Sequence, residues 1–414
     1  MIATGFEGLS GFTLRTQDRI FGVMDEPPVT LANQTALTAQ DRAIARRAWD
    51  YIENNTIQAT GLVNSVANIK STTLWDQGSY IFGLIAAKKI GLIDLPEFEQ
   101  RSERLLDSLR RLPLFEGALP NKVYRTDSLR MTTYDDTLAP DGIGWSALDV
   151  ARLLLALAAL EQNAPELRPL IRRALSDWKL NALTHQGELI GTTRTADTTR
   201  FLQEGRIGYE QYAARAAALW GLDVSQAISA NRIVAWHQIE GIQVATDSRT
   251  PDRFGAINPA LSEPYFLQGL ELGFDSEGEK LASQIYLAQV ARYASTGLLT
   301  AVTEDHIDQP PYFLYSSVYS NGAAWAVVAE DGQIYPRLRT LSSKAAIAWD
   351  VLYATDYTSQ LRAKIETFPD TGQGWPAGFY EVSETINAAY TLNTNAIILE
   401  ALHYKAFGPF WSLP

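Results

Sequence analysis

The chain has 414 residues with a formal net charge of -12, and 46% of its residues are hydrophobic against 20% charged, a balance that excludes disorder and provides for a large buried core. The acidic excess argues against nucleic acid, whose phosphates need clustered Lys and Arg, and the absence of Cys excludes disulfides, thiolate metal sites and a Cys nucleophile. No stretch reaches the roughly 18 uncharged apolar residues that would suggest a membrane-spanning helix. The opening MIATGFEGLS lacks the pattern of a secretion signal, although a signal removed ahead of Met1 would put the protein in the periplasm or outside the cell.

In chain order, residues 1–37 read as an irregular segment, followed by a helix over 41–53 spaced by Ile44, Ala48 and Ile52, with Thr38 as cap. The segment Leu74 to Ile90 is apolar nearly all round. It pairs with an amphipathic helix carrying Phe98, Leu105, Leu106 and Leu109, which Asp94 caps and Pro96 starts. The same alternation recurs in Ser146 to Glu161 followed by Glu166 to Leu180, where Leu167, Leu170, Ile171 and Trp178 form one stripe and Arg168, Arg172 and Arg173 the wet side. Further pairs are 209–221 with 223–236, 264–272 with 276–295, and 342–354 with 356–367; the last apolar helix, 390–404, takes its cover from 41–53. An all-round apolar helix must be enclosed by neighbours, so this pattern predicts an all-α (α/α)6 toroid of six helix hairpins, one domain over 1–414 closed by its two termini. The long loops 113–145, 181–208, 237–263, 299–341 and 368–389 are the natural places for function, and stretches such as Glu188 to Thr192 and Trp325 to Val328 suggest small hairpins.

His185, His237, His306 and His403 are far apart and form no i, i+4 pair, so no metal site is expected. Neither a nucleophile elbow nor a phosphate-binding loop is present, and no cofactor is implied. What remains is carboxylate chemistry. Acids stand beside aromatics at predicted helix starts in Trp75-Asp76, Tyr134-Asp135-Asp136, Tyr209-Glu210-Gln211-Tyr212, Glu263-Pro264-Tyr265 and Tyr380-Glu381. Aromatic faces cover the apolar faces of sugar rings, and two carboxyl groups supply the acid and base of glycosidic cleavage. Glu210, Glu263 and Asp76 are therefore the candidate catalytic groups for an oligo- or polysaccharide substrate. Trp75, Trp145, Tyr209, Tyr212, Tyr265, Asp135, Asp136, Trp325, Trp375 and Glu381 are the candidate binding groups. The competing explanation for each acid is capping of a helix N-terminus, and for each Trp a place in the core. Asp149 and Arg152, at i, i+3 in an apolar helix, read as a buried compensated pair. The Asp135, Asp136, Asp141 group lacks the spacing of a magnesium-diphosphate site. A lyase would need a basic clamp such as Arg125, Arg194 and Arg206, and a noncatalytic glycan-binding module would keep the aromatics without an acid and base.

Several segments resemble a bacterial, glucoamylase-like domain family of unknown function: TTLWDQGSYIFGLIAAKKIGLI, IGWSALDVARLLLAL, EGRIGYEQYAARAAALWG, SEPYFLQGLELGFD, GLLTAVTEDHID, LSSKAAIAWDVLY and NTNAIILEALHYKAFGP among them, from about Thr72 to Pro409. The resemblance implies an (α/α)6 barrel near the endo-β-1,2-glucanases and the cyclising domains of cyclic β-1,2-glucan synthases, and so a hydrolase or transglycosylase of a bacterial β-glucan. The residues that match the family pattern are Trp75, Asp76, Trp145, Tyr209, Glu210, Tyr212, Glu263, Tyr265, Asn393, Asn395 and Glu400. Glu400, within an apolar helix, reads as an anchor of the barrel.

Overall fold

A computed structural model describes residues 27–195 and 198–411. In chain order its principal helices are α1 (Ala39–Asn55), α2 (Leu74–Ile90), α3 (Leu95–Arg111), α4 (Ala147–Asn163), α5 (Arg168–Ala174), α6 (Tyr209–Ala218), α7 (Glu263–Leu267), α8 (Ser276–Thr296), α9 (Ser343–Tyr353), α10 (Asp356–Ile365) and α11 (Leu392–Phe407). Residues 27–38 form no regular element, and the rest of the expected irregular segment 1–37 lies outside the described residues.

The nearly uniform apolar helices form an inner ring. α2 packs on α4, α4 on α6, α6 on α7, α7 on α9 and α9 on α11, and α11 returns to α2. Leu154 is fully buried, as an inner position requires, whereas Leu170 on the cover helix is only partly buried. Gly78 brings α2 and α4 together: a Cβ there would stand 3.3 Å from the backbone of Leu153. The outer layer is α1 against α11, α3 against α2, α5 against α4, α8 against α7 and α10 against α9. Capping sets these starts as read. Thr38 and Asp41 form a reciprocal box at α1, and Asp94 accepts from the Glu97 amide at 2.9 Å with Pro96 in the first turn of α3.

Two expectations are corrected. The cover of α6 is not a helix over 223–236. It is a turn of 3-10 helix, Ala230–Arg232, and a hairpin of Val234–Ile239 with Ile242–Asp247 that packs on α8. Glu240 and Gly241, both at positive φ, make the two-residue hairpin turn, and the flanking residues follow a strand period that competes with the helical one. Nor is the molecule purely all-α, because the long loops pair into small antiparallel sheets. Ser71–Thr73 joins Val123–Arg125 and Met131–Thr132; Glu188–Thr195 joins Thr198–Gln203; Glu304–His306 joins Phe313–Ser316 and Val327–Val328; Thr340–Ser342 joins Pro376–Tyr380 and Ile386–Tyr390. The hairpin anticipated at Glu188 to Thr192 is there and longer; of the stretch Trp325 to Val328, only Val327 and Val328 form a strand.

The centre of the ring is polar. Arg152 of α4 is fully buried, and its Nη2 lies 3.0 Å from Glu271 Oε1 and 3.2 Å from Glu400 Oε1, while Nη1 lies 3.9 Å from Glu263 Oε1. The guanidinium carbon sits 4.5 Å over the Trp75 ring, and the Tyr212 hydroxyl donates to Glu271. α7 continues as a π-turn, Gln268–Leu272, which carries Glu271 to this point. Two carboxyl groups on one guanidinium cannot both ionise cheaply. Burial pushes Glu271 and Glu400 up, and the hydrogen bond between them leaves Glu400 as the protonated member. Asp149 takes no part: Arg152 pairs with acids of other helices, which corrects the reading of an Asp149–Arg152 pair.

Removing the guanidinium by Arg152→Met should destabilise the fold by about 3–5 kcal/mol, since buried carboxylates lose their cation. Glu400→Gln keeps the shape and the neutral state and should cost under about 1.5 kcal/mol. Chemical denaturation of both variants measures the contrast, and equal losses would contradict this account of the hub.

Candidate active site

The first turns of the inner helices converge on one mouth. The Asn393 amide at the start of α11 donates to Glu263 at the start of α7 at 2.8 Å, and Lys344 at the start of α9 forms an ion pair with Glu263. Trp75 of α2 meets Tyr209 and Tyr212 of α6 with ring centroids 5.5 and 6.0 Å apart. Helix N-termini carry partial positive charge, which suits the carboxylates gathered there.

On one side of the mouth stands Asp149. The Ser146 hydroxyl caps α4 by accepting from the Asp149 amide at 3.1 Å and lies 2.7 Å from Glu204 Oε1 and 3.0 Å from Asp149 Oδ1. One hydroxyl has one proton to give. Glu204, which also accepts from the Ala147 amide at 2.6 Å, is the better acceptor, so the Asp149 contact calls for a proton on Asp149. Burial and the neighbouring Glu204 push the Asp149 carboxyl up to about 7, although it keeps partial contact with solvent.

Across the ring the strand Glu304–His306 alternates. Glu304 is half-buried beside Tyr209, while Asp305 turns inward to Ser342 Oγ at 3.2 Å and Lys344 Nζ at 3.9 Å. Burial and the adjacent Glu263 push Glu304 up to about 8; burial does the same to Asp305, also to about 8, against the pull of Lys344. Burial and the Lys344 charge lower His306 to about 4, so it is neutral near pH 7. Tyr315 is the direct cross-strand partner of Glu304 and is influenced by Glu304, Glu330, Tyr134 and Asp149 together. Tyr134 keeps 62% of its surface accessible, and the charges of Asp149, Glu330 and Glu204 add to desolvation in raising its hydroxyl above the usual tyrosine range. A separate cavity of about 450 Å³, lined by Thr56, Tyr80, Glu97, Arg101 and Arg104 among others, opens on the outer wall and is remote from this mouth.

The candidate residues divide accordingly. Trp75, Tyr209, Asp76 and Glu263 gather at the mouth. Asp76 is buried and accepts from Ser65 and, at 2.8 Å, from Thr73; desolvation raises its pKa despite these donors. Glu263 is fully enclosed. Glu210 is also buried, and its Oε2 lies 2.5 Å from Arg249 Nη2, which bonds Asp247 at 2.7 Å. Burial pushes Glu210 up to about 7 while Arg249 draws it back, so this carboxyl belongs to a closed ion-pair group.

The other candidates stand in the core, in ion pairs or in turns. Trp145 and Trp375 are core residues, their indole N–H groups bonded to the carbonyls of Ile190 and Ile44, and Arg47 lies 3.9 Å over the Trp375 ring. Tyr212 and Tyr265 are sealed in the same core. Glu381 is held by Arg292 and Arg339 at 2.6 Å each, and the Arg292 guanidinium lies 5.0 Å over Trp325, whose N–H reaches Glu240 at 3.2 Å. Asp136 pairs with Arg125 at 2.9 Å, and Asp135 holds a surface turn with Thr133 and Thr137. Glu204, Glu304, Asp305, Tyr315 and Lys344 were missed. A lone Lys in the apolar SKAAIAWDVLY was the available signal for one; the acids lie in loops whose period reveals no partner. Among the described residues no group of acids and His could hold a metal ion, and no helix is long and apolar enough to cross a membrane.

Fold and site together define a two-layered helical barrel with an acidic, tyrosine-lined mouth. The chain belongs to the DUF3131 family, described as a protein of unknown function, whose model matches residues 43–408. Comparison with functionally curated proteins finds no match. Among solved structures, a candidate glucoamylase of Bacteroides caccae is similar over 90% of this chain and 94% of its own, at 15% identity and a TM-score of 0.64. An endo-β-1,2-glucanase of Chitinophaga pinensis, in complex with sophorotriose and glucose, is similar over 91% and 94%, at 12% identity and a TM-score of 0.62. An endo-β-1,2-glucanase of Talaromyces funiculosus, in complex with sophorose, covers 90% and 84%, at 12% identity and a TM-score of 0.59. At these identities the likeness establishes the shared fold.

The mouth makes stability depend on pH. A carboxyl raised in the folded chain holds its proton more tightly than when unfolded. Its contribution is therefore complete below about pH 4 and lost as pH rises to about 8 for Asp305. Thermal unfolding of Asp305→Asn should show a smaller loss of stability between pH 5 and 8 than the parent; an unchanged slope would contradict the assignment.

Proposed function

We propose that the chain is a glycoside hydrolase or transglycosylase acting on a β-linked glucan, with β-1,2-glucan as the first candidate substrate. The observation that carries this reading is the pair of partly exposed carboxyl groups at the acidic mouth, Glu304 directly across the strand pair from Tyr315 and Asp149 sharing the Ser146 hydroxyl with Glu204. Burial, with Glu204 for Asp149 and Glu263 for Glu304, raises both carboxyls above the usual range, Glu304 the further. The likeness of fold to glucanases with sophorotriose and sophorose bound supports the choice of linkage.

Glycosidic cleavage needs one protonated carboxyl to give its proton to the departing oxygen as the C1–O bond breaks. It also needs one carboxylate to take a proton from the incoming hydroxyl or to bond C1 itself. Glu304, the more basic of the two, is assigned as the acid. Asp149, pushed up only to about 7, sheds its proton first and serves as the partner carboxylate. The open faces of Tyr134 and Tyr315 suit the apolar faces of glucose rings. In this scheme Glu210 braces the start of α6 through Arg249, and Asp76 and Glu263 shape the field without touching the bond.

Incubation with a panel of linear β- and α-glucans, with products resolved by size, tests activity and linkage together. Glu304→Gln and Asp149→Asn should fold and lose at least about 10²-fold in turnover, whereas full activity in either removes that residue from the mechanism. The acid must be protonated and its partner ionised, so kcat/KM should peak near pH 7–8, falling below about 7 with Asp149 and above about 8 with Glu304.

A further inference from the structure

The sheet that carries Glu304 has two unlike faces. Alternation puts Asp305, Leu314, Ser316 and Val327 on one of them, all buried, and Leu314 and Val327 close a small core with Ile307, Ala329 and Tyr380. The other face presents two cross-strand pairs, Glu304 with Tyr315 and His306 with Phe313, and all four residues keep partial exposure. The rings of this face brace one another: Phe313 meets His306 edge-on with centroids 4.9 Å apart, and meets Tyr315 in the same way at 5.3 Å. The backbone beneath is fixed as well. The fully buried Asn387 donates to the His306 carbonyl at 2.9 Å, and its Oδ1 accepts from the Asp308 amide at 3.1 Å.

His306 is thus held in place by its ring packing and its carbonyl, while its imidazole nitrogens bond no other group among the described residues. A neutral imidazole offers one donor and one acceptor, which a sugar hydroxyl can match in either sense, and burial with the Lys344 charge keeps this ring neutral near pH 7. Residues two apart on one strand stand about 7 Å from each other, a step comparable to one hexose unit.

We propose that His306, braced by Phe313, is the hydroxyl-binding residue of a second sugar subsite, one unit along the glucan from the bond that meets Glu304. This rests on the reading of Glu304 and its face as the reaction site. The glucan lies along the strands. Tyr315 covers the apolar face of the sugar beside Glu304, and the His306 imidazole donates one hydrogen bond to the next sugar and accepts another from it. Phe313, packed against both rings, keeps the two subsites in register.

The test uses Glu304→Gln, which keeps the face and stops cleavage, with sophorotriose and longer β-1,2-linked oligomers as probes. Adding sugar should shift the ring nitrogen resonances of His306, one of four histidines, and leave those of the buried His403 in place. In the same background His306→Leu should raise Kd about tenfold, the effect of one such hydrogen bond. In the otherwise native chain the same substitution should raise KM by a similar factor and leave kcat unchanged. An unmoved His306 resonance in a chain that binds the oligomers overturns the inference. So does a folded His306→Leu variant that binds them as tightly as its parent, or one that loses kcat at constant KM. A chain that binds no β-glucan sinks the functional reading and the subsite with it, whereas bound glucan that leaves His306 untouched sinks the subsite alone.

Discussion

Arg152 is the point on which the barrel turns. A guanidinium with no exposed surface must find its charge partners within the protein, and it finds them on other helices: Glu271 and Glu263 on α7 and its π-turn, Glu400 on α11, and the ring of Trp75 on α2. Tyr212 of α6 joins through Glu271, and Lys344 of α9 through Glu263, so all six inner helices connect to one buried charge. Apolar packing alone would tolerate sliding or rotation of one helix against the next. Directional bonds among buried charges do not, because any slip leaves an ion unpaired in a poor solvent.

The same constraint reaches the mouth. Arg152 and Lys344 both hold Glu263, and the carboxyl groups near the starts of the inner helices share a partly dehydrated space. Acids so crowded cannot all ionise together: Asp149, pushed up to about 7, gives up its proton first, and Glu304 and Asp305, pushed up to about 8, keep theirs longest. The surface acids behave otherwise: Asp127 beside Arg125 and Asp107 beside Arg110 are held below the usual carboxylate range.

The loops complete the mouth from outside. The sheet of Glu304–His306, Phe313–Ser316 and Val327–Val328 turns Glu304 and Tyr315 to one side and Asp305 to the other, and the 113–145 loop contributes Tyr134. The hairpin that replaces a cover helix behind α6 supplies Asp247 and leads to Arg249, the partners of Glu210. Where the barrel departs from regular helix pairs, the departures bring charge to the ring or to its rim.

Much of the barrel was legible without coordinates, because helix burial leaves a period in the chain. Leu153, Leu154 and Leu157 could only belong to an enclosed helix, and Phe98, Leu105 and Leu109 only to a covering one, while Thr38 and Asp94 announced where helices begin. The site was legible only in composition. Acids next to aromatics pointed to the starts of α2, α6 and α7, but a helix start needs an acid for its own cap, and nothing local separates Glu210, spent on Arg249, from a free carboxyl. Asp149 lay three residues from Arg152, and the nearer partner was the natural guess. Only the closed ring could reveal that Arg152 was claimed by α7 and α11, leaving Asp149 to share the Ser146 hydroxyl with Glu204. Pairings such as Glu263 with Lys344 join inner helices far apart in sequence, and the field at a carboxyl depends on every charge nearby in space; a linear chain specifies its own periods and caps, whereas those distances exist only once the ring has closed.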